Sequence, residues 1–158
     1  MKKFIILGIV ASFFAACGGS ETNPKQTSEN GAKSEPAQEQ TVAEYDPHRG
    51  EGKFENIDLG SLDAAKATKG KEIYEMKCQS CHKLTDERLV GPGWAGVSKR
   101  HTPAWLLNFI TNPDAMIDKD PKLQAQLEIC MVRMPNQNVS DDNAYELVEF
   151  MRQNDGIK

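Results

Sequence analysis

Cys78-Gln79-Ser80-Cys81-His82 sets two thiols three residues apart, with an imidazole directly after the second. That pattern attaches haem covalently. On one helical turn each sulfur can add to a vinyl group of the macrocycle, and the adjoining imidazole swings beneath the iron as its proximal ligand. Two other chemistries use a paired thiol, and both fit less well. A thioredoxin-like redox pair follows a strand and opens a helix, whereas Ala64 to Lys77 reads as a helix ahead of the pair. A structural zinc site needs two further ligands, and His82, His101 and Cys130 stand at no familiar spacing for it.

The elements that must position this turn read as four helices, with no strand required, so the fold class is all-α. Ser61 is the expected cap of the first helix, on which Ala67, Gly70, Tyr74 and Cys78 recur along one stripe. A glycine inside a helix costs about 1 kcal/mol against alanine, so Gly70 calls for a packing reason. Thr102 and Pro103 open a second helix through Ile110, and Asn112-Pro113 ends it. Asp120-Pro121 opens a third, with Leu123, Leu127 and Cys130 on one face. Ser140, followed by Asp141 and Asp142 that suit the helix dipole, opens the fourth, whose Ala144, Leu147, Val148 and Met151 form an apolar face. Ser98 to His101 reads as a loop. Cys130 is expected to be a buried, inert thiol, since free cysteine packs as a small hydrophobe.

The chain has 158 residues, 23 acidic and 19 basic, for a net charge of -4. This length suits one ordinary domain and not a multidomain enzyme, and the absence of a basic run argues against a nucleic-acid partner. The acidity is local: residues 18–60 carry 9 acidic and 4 basic side chains, while residues 61–158 carry 14 and 13. A nearly neutral domain over 61–158 is therefore expected behind an acidic lead. Residues 1–17 run from Met1-Lys2-Lys3 through an apolar stretch to Ala15-Ala16-Cys17, the layout of a secretory signal and too short for a membrane span. The small residues before Cys17 resemble a bacterial lipobox, which implies that cleavage leaves Cys17 as a lipidated N-terminus. Two or more lipid chains make a stable anchor, which would hold the protein on the periplasmic side of a bacterial membrane. Residues 18–60 are expected to form a tether and an arm. The tether, nearly without apolar side chains to about residue 43, cannot offset its ordering entropy and would span on the order of 25–30 Å. From Glu44 to Gly60 the chain regains Tyr45, Phe54, Ile57 and Leu59, consistent with an irregular arm, in which His48 reads as a solvated loop residue.

From residue 63 to 155 the sequence resembles class I cytochromes c. The resemblance implies a cytochrome c fold around one covalently bound haem c, with Cys78 and Cys81 attached and His82 on the iron. Gly70 and Tyr74 match the family positions that pack against the last helix, and Leu147 with Phe150 match the facing pair. Met134-Pro135 resembles the family's distal loop and implies Met134 as the second iron ligand. Of its rivals, Met131 reads as core at the end of the third helix, Met116 lies too near the second, and Met76 and Met151 are helix-face residues. Gly91-Pro92 resembles the family's Gly-Pro, whose proline carbonyl accepts a hydrogen bond from the proximal histidine and raises its basicity. Arg100 matches a basic position that meets a haem propionate. Trp94 and Trp105 are implied pocket or propionate neighbours, with a plain core role as the other reading for each.

These features imply an electron carrier rather than an enzyme: a filled sixth position leaves no place for a small-molecule substrate. Its partners would be a redox donor and acceptor, both met near the membrane. The run from Cys81 to Trp94 is similar to small lipoprotein cytochromes that accompany nitrous oxide reductase, which implies a periplasmic reductase of that kind as acceptor. Two alternatives stay open, namely a haem-based sensor or gas binder, which needs an open sixth position, and a haem subunit of a larger oxidase complex.

Overall fold

A computed structural model describes residues 45–158; Cys17 and the expected tether lie outside the described residues. Six helices are formed: α1 (Ala64–Lys77), α2 (Val97–Arg100), α3 (Pro103–Thr111), α4 (Pro113–Lys119), α5 (Pro121–Cys130) and α6 (Asp141–Asn154). No strand occurs among the described residues, and one isolated bridge pairs His82 with Arg88. The fold is all-α, as the pattern of caps and apolar faces predicts.

Local chemistry accounts for most helix ends and also for the departures. The cap of α1 is Asp63 and not Ser61: the Asp63 carboxylate accepts from the amides of Ala65 and Lys66, both at 3.0 Å. A charged acceptor at this end also complements the helix dipole, and the Asp63 amide is drawn to Glu149 on α6. Thr102, Asp120 and Ser140 cap α3, α5 and α6 with their side chains as expected. Asn112-Pro113 does end α3, but Pro113 at once becomes the first residue of α4, because proline lacks only an amide that an N-terminal position would leave unused. This adds a helix that four-helix counting misses. The other addition is α2, where a loop is expected: buried Asp155 accepts from the Gly96 amide at 2.6 Å and from the Ser98 amide and hydroxyl at 2.8 and 2.6 Å, which winds the segment into one turn.

The core is centred on the crossing of α1 and α6, with α3 laid against α6. Gly70 stands at the crossing. A Cβ there would overlap the Glu146 carbonyl and crowd the Phe150 Cβ, so the glycine that weakens α1 as a helix lets two backbones meet. Tyr74, one turn on, packs 5.5 Å from Phe150 between ring centroids. The segment 45–60 has no helix yet is held by buried Asn108 of α3, whose side-chain oxygen accepts from the Phe54 amide while its amide donates to the Arg49 and Phe54 carbonyls. His48 is exposed.

Gly70→Ala is expected to destabilise the fold by about 1–3 kcal/mol through overpacking, against the gain of about 1 kcal/mol that propensity alone assigns. A guanidinium unfolding midpoint that rises in the variant would show that the crossing tolerates the methyl group.

Candidate functional site

The helix α1 delivers its C-terminal cap as the first thiol. Cys78, buried, ends the helix, and its carbonyl accepts from the amides of Cys81 and His82 at 3.0 and 2.9 Å, curling the next four residues into a turn. The Cys81 carbonyl in turn accepts from Val90 and Gly91, so the chain after His82 loops out and returns beneath it. Burial pushes the Cys78 thiol up to about 11. A catalytic dithiol needs the opposite, a thiol lowered towards the thiolate, so the redox-pair reading of Cys78 and Cys81 loses ground on physical terms.

The His82 ring is fixed from three sides. Its Nδ1 donates to the Pro92 carbonyl at 2.8 Å, Trp94 lies 5.7 Å away between ring centroids, and Gly91 packs against the ring face, where a Cβ would overlap Cε1. The Tyr74 hydroxyl donates to the His82 carbonyl at 2.7 Å, tying the backbone of His82 to the α1–α6 crossing. Burial favours the neutral imidazole, and the carbonyl on Nδ1 sets the tautomer that leaves Nε2 free to bind a metal.

That free edge faces an apolar crevice. His82, Pro92, Phe109, Leu123, Gln126 and Met134 line both of its lobes. One lobe adds Cys81, Val90, Ile117, Leu127, Cys130, Val132 and Pro135, a predominantly apolar lining of the kind that takes a cofactor. The other adds Trp94, Arg100, His101, Trp105, Ile110 and Met151. An apolar slot lined by Cys81, by the His82 imidazole and by the Met134 thioether, with Cys78 one turn before Cys81, is a donor set that suits a covalently held haem.

Several sequence expectations resolve differently here. Cys130 is half-buried and lines the crevice instead of the core, because α5 turns its Leu127 and Cys130 edge towards the slot. Met131 is 85% exposed, in a left-handed conformation that ends α5, so it is not core. Met116 is fully buried on α4, its sulfur accepting from the Glu51 amide. Met76 is exposed and Met151 buried. Met134 is half-buried and reaches both lobes. Trp94 and Trp105 combine the two roles weighed for them: both are buried and both line the crevice. The Trp105 indole donates to Asp120 at 3.3 Å and its ring stacks on His101 at 3.7 Å. Arg100 is exposed at the mouth of the same lobe and donates to the Ala95 carbonyl at 2.6 Å. Phe109 and Leu123 are crevice residues that the sequence offers only as helix residues, and Ile117, a third, stands on α4, where the sequence reading has no helix.

Burial, and then the neighbouring Arg100 charge, lower the proton affinity of His101 below its ordinary value. The unfolded chain, with a histidine near pH 6.5, therefore takes up the proton first as pH falls. Stability is expected to be fully present above about pH 6.5 and to decline below it; a guanidinium midpoint that drops between pH 7.5 and 5 should drop less in His101→Gln, and equal drops would remove His101 as the cause.

Residues 67–155 match the family model described as cytochrome c. No curated protein gave a match. Among solved structures, a cytochrome c from Rhodothermus marinus is similar at 31% identity and a TM-score of 0.64, over 66% of this chain and 90% of its own. An engineered cytochrome c from the same organism, Rma TDE, gives 30% and 0.63 over 66% and 91%. The same engineered protein bound to a carbene intermediate gives 30% and 0.60 over the same shares. With a family match across most of the described residues and a haem-attachment turn facing an apolar slot, this chain belongs to the cytochrome c family, proteins that bind haem c covalently and transfer electrons.

Proposed function

We propose that this protein is a membrane-tethered, single-haem electron carrier in which His82 and Met134 both bind the iron. The observation that carries the ligand assignment is the shared crevice: of the methionines in the described residues outside α6, Met134 alone lines the slot that His82 faces. The other members of the site follow from it. With haem bound, Cys78 and Cys81 would hold its vinyl groups and Arg100 would meet a propionate at the mouth, while Pro92 orients the imidazole and Trp94 and Trp105 wall the pocket.

When bound, the haem supplies a one-electron couple whose potential is set by its axial ligands and surroundings. The chain's own residues do the rest. The Pro92 carbonyl keeps a proton on Nδ1 of His82, so the ring stays oriented and the ligand basic. Phe109, Ile117, Leu123 and Leu127 exclude water, and a thioether in place of a second imidazole raises the potential. With His82 and Met134 both on the iron the chain would work as a carrier and not as an enzyme, and a gas-binding role would need Met134 to leave.

With Cys17 as a lipidated N-terminus and residues 18 to about 43 as the leash, the domain works at the periplasmic face of a membrane, where tethering raises the effective concentration of redox partners. The donor is a membrane-side protein, and the acceptor a periplasmic reductase such as nitrous oxide reductase.

The oxidised protein is expected to show the weak absorption near the red end of the visible range that marks a thioether ligand, and Met134→Ala should abolish it and open the reduced form to carbon monoxide. Rapid carbon monoxide binding by the unaltered protein would favour the sensor reading. Cys17→Ser should move the protein from the membrane to the soluble periplasmic fraction, and continued retention on membranes would refute the anchor.

A further inference from the structure

Met134 lies in an irregular segment between α5 and α6, and the residue before it is tied to a different helix. Arg133 Nε donates to Asp114 Oδ1 at 2.8 Å, and Nη2 donates to the Asp114 carbonyl at 3.1 Å and to Asp118 Oδ1 at 2.8 Å. The two carboxylates stand one helical turn apart on α4 and so share a face. A planar guanidinium holds both at once through separate nitrogens in a fixed fork, whereas a lysine would have to reach them from a single nitrogen on a flexible stem. The helix that receives the fork is itself fixed: Pro113, Met116 and Ile117 are buried, and Ile117 lines the crevice. A second tie holds the far side of the segment, where Lys77, next to Cys78, donates to the Gln137 carbonyl at 3.0 Å.

An isolated exposed ion pair contributes little to global stability, and these side chains are 38%, 56% and 66% exposed. A restraint one residue from a metal ligand acts on a different quantity. It limits how far the thioether can swing away while the rest of the fold stays intact, a local opening whose free energy is separate from that of unfolding. We propose that Arg133 is a positioning residue: its fork on Asp114 and Asp118 holds Met134 at the crevice and slows replacement of that ligand by molecules from solution. The proposal rests on the reading of Met134 as an iron ligand, and the closing experiment separates the two.

The rate at which imidazole binds the oxidised, haem-loaded protein reports how often the sixth position opens, and it can be followed by stopped-flow absorption. Arg133→Gln and the double variant Asp114→Asn/Asp118→Asn are each expected to raise that rate about tenfold, or about 1.4 kcal/mol. Arg133→Lys should fall between them and the unaltered protein, and Lys53→Gln, which breaks the exposed pair with Asp141, should change nothing. The guanidinium midpoint should move far less than the rate. Unchanged imidazole rates in the first two variants would overturn the clamp, as would a rise matched by an equal loss of global stability. If Met134→Ala leaves the spectrum of the oxidised protein unaltered, the ligand assignment itself fails, and the clamp fails with it.

Discussion

The hydrogen bond from His82 to the Pro92 carbonyl is the contact on which the site depends. It requires the chain to return beneath the ring ten residues after leaving it, which the Cys81 carbonyl arranges by accepting from Val90 and Gly91. It also requires the return path to pass close to the imidazole, which only a residue without a Cβ permits at Gly91. The ring's backbone is held by the Tyr74 hydroxyl, and Tyr74 lies over Trp94 and Phe150 in one aromatic group. The orientation of one imidazole is thus inherited from the close approach of α1 and α6 at Gly70.

Irregular stretches surround that rigid pair, and three of the contacts that hold them come from buried polar side chains, Asn108 on α3 and Asp120 and Asp155 at helix ends. Asn108 satisfies three backbone groups of the arm 45–60. Asp120 caps α5, accepts from Trp105 and takes the Tyr45 hydroxyl as well, so one carboxylate binds the start of the arm to the crevice wall. Asp155 winds α2. Buried polar groups need their partners, since an unmet donor or acceptor costs about 1–3 kcal/mol, and every buried side-chain nitrogen and oxygen among the described residues has one.

The readable part of this architecture is the part with short-range rules. The haem turn follows from five consecutive residues, and three of the four expected caps stand where a Ser, Thr or Asp precedes a helical pattern. The Ser61 expectation failed because two acceptable cap residues lie two positions apart, and the long-range pull of Glu149 on the Asp63 amide is invisible locally. The helix α4 escaped notice because Asn112-Pro113 serves as a stop and a start at once. Cys130 differs because a helical face predicts that a side chain is turned inward but not whether core or crevice lies there, and Met131 because the helix ends at it in a left-handed conformation that leaves its side chain in solvent. Met134, by contrast, is singled out by the resemblance of Met134-Pro135 to the family's distal loop and not by its own sequence context; the fold adds that it reaches both lobes of the crevice.

Magnitudes decide which contacts set the irregular segments in place. The exposed pairs Lys53–Asp141, Lys83–Glu87 and Lys71–Glu75 each fall in a class worth about 0–1 kcal/mol and weakened by salt. Arg152 and Glu149 differ, with side chains 12% and 4% exposed, and Arg152 reaches on to the Gly60 carbonyl while Glu149 takes the Asp63 amide. Removing either would strand a buried charge, a loss of about 3–5 kcal/mol. The arm therefore joins α1 through a buried pair on α6, and the same helix crosses at Gly70. The neutral balance of residues 61–158 fits this division: a few buried charges fix the chain path, and the isolated exposed pairs add little to global stability.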